Sequence, residues 1–278
     1  MRAEPFITWR EHWPEYLIEA WALASFMVSA GLCTLLAEAS GSPLRSAIAD
    51  GDVRRALVGV AMGLTAVALI YSRWGQRSGA HMNPAVTMTY WLLGRTRPAD
   101  AIGYVGAQFA GGLVGTLLVA ALAGERFLAP PVGAVVTQPG RWGVLPALGA
   151  EFVISFVLMF VVLSVSSRRA LAPYTGLVAG ALVATFIAVE APVSGMSMNP
   201  ARSFASAAPA GQWHALWIYF VAPPAGMMLA GLARQWFGGR AALPCAKLQH
   251  SLDVRCIHCG HDPARVFAGH EFRDGAVR

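Results

Sequence analysis

The pattern Ser-Gly-x-x-Met-Asn-Pro-Ala occurs twice, as Ser78-Gly79-Ala80-His81-Met82-Asn83-Pro84-Ala85 and as Ser194-Gly195-Met196-Ser197-Met198-Asn199-Pro200-Ala201. The two asparagines stand 116 residues apart, and each copy is flanked by long apolar segments. Asn caps helices well, and Pro suits the first helical turn because the N–H it lacks would have no intrahelical partner there. Each copy therefore predicts a helix start placed between stretches hydrophobic enough to enter a membrane. A single Asn-Pro-Ala is a weak signal; two in matching settings are a repeat.

Those settings decide the class. Only 13% of the residues are charged against 56% hydrophobic, and mean hydropathy is +0.51. Soluble chains carry about 25% charged residues, so this one lacks the charge to wet its surface. The net charge of +6 is spread between apolar segments and forms no patch, which argues against nucleic acid as a partner. The first apolar run is long and has no small-residue cleavage site after it, so it is expected to be a retained span, with no signal peptide.

Crossing a bilayer takes about 20 mostly apolar residues. Spans are expected at Tyr16–Ala37, Ala56–Trp74, Ala101–Gly124, Val144–Ser167, Leu171–Val189 and Trp213–Phe237. Ala85–Gly94 and Ser203–Ala210, one after each motif, are too short to cross and are expected to be half-spans. Gly111-x-x-x-Gly115 marks a close helix contact. The fold expected is thus an all-α membrane protein with six transmembrane helices and two re-entrant half-helices. Each half has three spans, so the second enters from the opposite side, an inverted repeat. The expected division is an N-terminal segment 1–15, a channel-like domain 16–237 with halves of about 16–124 and 143–237, and a basic tail 238–278.

Arg2, Arg10, Arg73, Arg77, Arg95, Arg97, Arg168, Arg169 and the basic tail fall on one face of that topology. Arg45, Arg54, Arg55, Arg126, Arg141 and Arg202 fall on the other. The positive-inside rule then puts both termini in the cytoplasm, and the cell's inner (plasma) membrane is the expected location.

With these residues in view, the chain resembles the aquaporins and related glycerol channels, the major intrinsic protein family, over roughly Tyr16 to Phe237. The resemblance rests on the doubled Asn-Pro-Ala, on Glu19 and Glu151 in the first span of each half, on Gln108, and on Arg202 directly after the second motif. It implies that the half-helices meet at mid-membrane and that the protein is a homotetramer with a pore in each subunit. Asn83, Pro84, Ala85, Asn199, Pro200 and Ala201 would form the centre of the pore. Glu19 and Glu151 would support the loops and His81 would orient the first of them, with a pH gate as a second reading for the histidine. A selectivity filter is implied at Met62, Ile187, Met196 and Arg202. Counting in place of matching by wording moves the first of these to Gly63.

Strict water channels usually have an aromatic residue and a histidine where this chain offers Met62 and Ile187, which points to small neutral solutes. Ser203, where glycerol channels usually have Asp, points back to water. Two helix N-termini at one midplane place two positive dipole ends there, a barrier to cations and protons but not to neutral molecules. The expected function is passive passage of water, and of small neutral solutes such as glycerol, through a bilayer-embedded pore that excludes protons and ions. The alternative classes are a coupled secondary transporter using Glu19 and Glu151, and a receptor-like or structural membrane protein whose tail is active. No nucleophile–base spacing suggests an enzyme.

Three cysteines, Cys245, Cys256 and Cys259, lie in the tail beside His250, His258 and His261. Cys256-x-x-Cys259 has metal-ligand spacing, and Cys245 with His261 would complete a tetrahedral zinc set. The other reading is a basic tail with incidental cysteines. No further cofactor is expected.

Overall fold

The computed structural model describes residues 5–238 and 245–263. Among them, six long helices and two short re-entrant ones form one bundle. They are α1 (Pro5–Glu38), α2 (Gly51–Tyr71), α3 (Pro84–Leu92), α4 (Pro98–Ala123), α5 (Val144–Ser166), α6 (Thr175–Val189), α7 (Pro200–Ala210) and α8 (Trp217–Gly238). Five of these, α1, α2, α4, α5 and α6, are long and apolar enough to cross a membrane. At 22 residues α8 is long enough for the sixth, though Pro223, Pro224 and Arg234 interrupt its apolar run.

Helix ends follow local chemistry more closely than charge positions do. α1 starts at Pro5, ahead of Tyr16, because its first turns are tied to the rest of the bundle. His12 lies 2.6 Å from Asp100 of α4, Tyr16 donates to the same carboxylate at 2.8 Å, and Glu15 pairs with Arg77 at 3.0 Å. α2 stops at Tyr71, short of Trp74, because Ser72 leaves the helical region and its hydroxyl accepts the N–H of Gly75 at 2.9 Å. α6 is preceded by a 3₁₀ turn, Ala172–Tyr174, which moves its start from Leu171 to Thr175.

The halves are built alike. α1 packs on α4 as α5 packs on α8, and α2 meets α6 across the middle. Small residues allow the close approaches. A β-carbon on Gly111 or Gly115 would lie 2.1 Å or 2.4 Å from the carbonyl oxygen of Ala20 or Ala24, so the expected glycine contact is present. On the outside, Leu64, Ile102, Leu122 and Leu145 are exposed, as side chains facing lipid are.

The re-entrant pieces are exchanged between halves. α3 packs on α8, and α7 packs on α4. Each half-helix thus leans on the last span of the other half, and both N-termini point into the core.

Candidate functional site

Each Asn-Pro-Ala begins its half-helix as the sequence predicts. Asn83 Oδ1 accepts the Ala85 N–H at 2.8 Å and Asn199 Oδ1 accepts that of Arg202 at 3.2 Å. The amide nitrogens reach across: Asn83 Nδ2 donates to the Met198 carbonyl and Asn199 Nδ2 to the Met82 carbonyl, both at 2.7 Å. An amide nitrogen carries two hydrogens. One of each pair is spent on this cross-link, and the other is left for the cavity that both asparagines line.

The loops in front of the asparagines are strained and need holding. Ala80, Met82, Met196 and Met198 all have φ between 49° and 55°, which costs a non-glycine residue of order 1 kcal/mol or more. Gly79 and Gly195, at φ 105° and 81°, take the tighter turns without that cost. Buried carboxylates bracket both loops. Glu19 accepts from the Ser78 hydroxyl, the N–H groups of His81 and Met82, and the Gln108 amide, at 2.6–3.0 Å. Glu151 accepts from the Ser194 hydroxyl and the N–H groups of Ser197 and Met198 at 2.6–2.7 Å. With their acceptor positions spent on the loops, these carboxylates give no support to a coupled transporter that shuttles protons through them.

Between the helices lies a mostly apolar cavity of about 290 Å³. Met62, Ile187, Met196 and Arg202 all line it, as do Asn83, Asn199 and His81. Gly63 does not. A β-carbon there would lie 2.5 Å from the Gly180 carbonyl, so that glycine serves the α2–α6 contact. Arg202 is enclosed in the cavity wall, and its Nη1 has no partner among the described residues.

Twin half-helices cross-linked by their capping asparagines, each loop bracketed by a buried glutamate, form a specific arrangement. The profile of the family described as Major intrinsic protein matches residues 10–234. The chain belongs to that family. Among similar proteins is the putative aquaporin NIP4-1 of Arabidopsis thaliana, 38% identical over 173 residues, which are 62% of this chain and 59% of that one. The chain therefore spans about three fifths of that relative's length. Aquaporin TIP4-4 of Zea mays is 37% identical over 215 residues, 72% of this chain and 83% of that one. The X-ray structure of the aquaglyceroporin from Plasmodium falciparum shares the fold at a TM-score of 0.70 with 19% identity, covering 80% of this chain and 95% of that one.

The sequence reading misses one residue of this family member, Tyr104, and the positioning role of another, Tyr219, which it takes, with Ser203, Ala207 and Phe220, only as resembling the water-selective pattern. Tyr104 donates to the Ser78 carbonyl at 2.6 Å, and Tyr219 to the Ser194 carbonyl at 2.5 Å. Their separation nearly matches that of the asparagines, so laying one half over the other would have paired them.

The tail corrects one expectation. Cys245, Cys256 and Cys259 do converge, but the histidine that joins them is His250, with all four ligand atoms within 4.8 Å of one another. His261 instead sets Nε2 2.8 Å from the Leu252 carbonyl. The chain turns between Cys256 and Gly260, whose N–H donates to the Cys256 carbonyl at 3.0 Å, and the Cys256 N–H donates to the His261 carbonyl at 2.8 Å. His261 therefore lies beside the cluster, its ring 6.0 Å from that of His250, with its Nε2 directed to Leu252. Hydrogen bonding to Cys245 holds the Cys256 sulfur well below the usual thiol range.

Proposed function

We propose that the protein is a passive channel for water and small neutral solutes of the glycerol class, excluding protons and ions. The observation that carries this reading is the reciprocal cross-link of Asn83 and Asn199. It fixes two helix N-termini at one point on a continuous cavity, so positive dipole ends face whatever passes. A water oxygen that accepts from both free amide hydrogens turns its own hydrogens away from its neighbours, which breaks a proton relay. Met62, Ile187, Met196 and Arg202 are the filter in this reading, with Arg202 Nη1, unpartnered among the described residues, available to a solute oxygen. Three apolar members favour solutes carrying carbon as well as water. The names of the relatives, aquaporins and an aquaglyceroporin, point the same way.

The channel domain is assigned to 16–237, between the segment 1–15 and the tail 238–278, with both termini cytoplasmic in a cell's inner membrane and four copies to an assembly. Arginines on the terminal side support the orientation, and the exposed leucines outside support embedding of each copy. The tail's Cys/His cluster is the candidate for bound zinc.

Stopped-flow light scattering on proteoliposomes tests the function. With chelator-treated protein, an osmotic shock with sucrose should shrink them faster than empty liposomes, and a glycerol gradient should then show rapid re-swelling. Rates equal to those of empty liposomes, from protein shown to be folded, would refute the reading.

A further inference from the structure

The described part of the tail, residues 245–263, is seated at the mouth of the cavity. Leu248 lines the cavity wall, and Ala246 is fully buried in the same apolar cluster as Met82 and Met198. The contacts run along the loop before the first Asn-Pro-Ala. Leu248 N–H donates to the Gly79 carbonyl at 3.1 Å, and the Ala246 carbonyl lies 3.0 Å from His81 Nε2. His258 stacks on His81 at 5.6 Å and sets its own Nε2 3.3 Å from the Ser78 carbonyl. Lys247, 2% exposed, donates to the Gln76 carbonyl at 2.7 Å and the Arg255 carbonyl at 3.2 Å. A segment this short has little core of its own, so something must hold its fold together.

The Cys/His cluster has the dimensions to do so. Cys245 and Cys256 sulfurs are 3.4 Å apart, and His250 Nε2 is 3.3 Å from the Cys259 sulfur. The sulfurs are far beyond the disulfide distance of about 2.05 Å. They lie near the edge of about 3.8 Å that a tetrahedron with metal–sulfur bonds of about 2.3 Å would have. Cys256 is 1% exposed, so a site here is sheltered from water on one side. Charge fits as well. Three thiolates and a neutral imidazole around a divalent ion leave one net negative charge. The buried Lys247 ammonium, with no carboxylate in ion-pair distance among the described residues, supplies the balancing positive charge beside Cys256.

We infer that Cys245, His250, Cys256 and Cys259 bind one divalent ion of the zinc class, and that the loaded knuckle clamps Ala246, Lys247 and Leu248 into the cavity mouth, closing the channel. Loss of the ion frees the segment and opens it. The closing half of this inference rests on the channel reading above; the binding half does not.

Full-length protein is purified without chelator, and metal content and stopped-flow water permeability are read on the same proteoliposomes. Close to one zinc per chain is expected in the wild type, and background in a Cys256→Ser/Cys259→Ser variant. Cobalt exchanged for zinc should show the visible bands of a tetrahedral thiolate site. Zinc-loaded wild type should be at least about tenfold less permeable than chelator-treated wild type or the double variant, with zinc restoring the low rate in wild type alone. Metal content equal in wild type and variant overturns the site. Equal permeability in loaded and stripped protein, both above empty liposomes, overturns the clamp. A stripped protein no faster than empty liposomes refutes the channel reading, and metal content and the cobalt spectrum still decide the site. Permeability restored by a reductant but not by a chelator overturns the metal in favour of a disulfide.

Discussion

At the scale of single residues, the centre of the molecule depends on groups that satisfy one another. Glu151 receives three donors from one strained loop. Glu151→Leu would leave them buried without partners, each at a cost of about 1–3 kcal/mol, and release the positive-φ loop. The expected outcome is a destabilisation of several kcal/mol, seen as a lowered midpoint of thermal unfolding in detergent. Arg202 has a different role. It lines the cavity and does not brace a loop, so Arg202→Val should leave water flux near wild type while proton flux rises. A tenfold rise corresponds to about 1.4 kcal/mol off the barrier, and a pH-sensitive dye trapped in the liposomes reads it. Met62→Ala should enlarge the cavity on the α2 side and raise the glycerol-to-water ratio, whereas Gly63→Ala should harm folding, because its β-carbon would meet the Gly180 carbonyl.

At the scale of elements, helix crossings depend on missing side chains. Gly111→Leu places a branched side chain where a single carbon already comes within 2.1 Å of the Ala20 carbonyl. α1 and α4 would have to part, an overpacking cost of about 3 kcal/mol, and the variant should unfold at lower temperature while the same change at Gly106, which faces open space, is tolerated. The spans and the doubled caps were legible in the sequence because hydropathy and N-capping are local properties. Their ends were less so: α1 begins early through His12, Tyr16 and Glu15, whose partners Asp100 and Arg77 lie far along the chain. The tail shows the same limit. Spacing could nominate Cys256 and Cys259, but choosing His250 over His261 required knowing that His250 Nε2 faces the Cys259 sulfur while His261 Nε2 is directed to the Leu252 carbonyl, which is a fact of three dimensions. Tyr104 and Tyr219 are tyrosines in apolar helices, with nothing nearby in sequence to show that their hydroxyls serve Ser78 and Ser194.

At the scale of the whole molecule, the exchange of half-helices makes the two halves interdependent: α3 rests on α8 and α7 on α4. The amides of Asn83 and Asn199 tie the two halves together at the point where an alternating machine would have to hinge. Rocking one half against the other would break both bonds at once and leave their donors and acceptors in a mostly apolar cavity. Nothing at the centre therefore has to move for a molecule to go through. Once the mouth is free, the activation energy of flow should be scarcely above that of liquid water's own viscosity, well below that of diffusion through lipid. Flux should also rise in proportion to the gradient with no plateau, as in a pipe and unlike a turnstile. An Arrhenius series on liposomes of metal-stripped protein measures the slope directly.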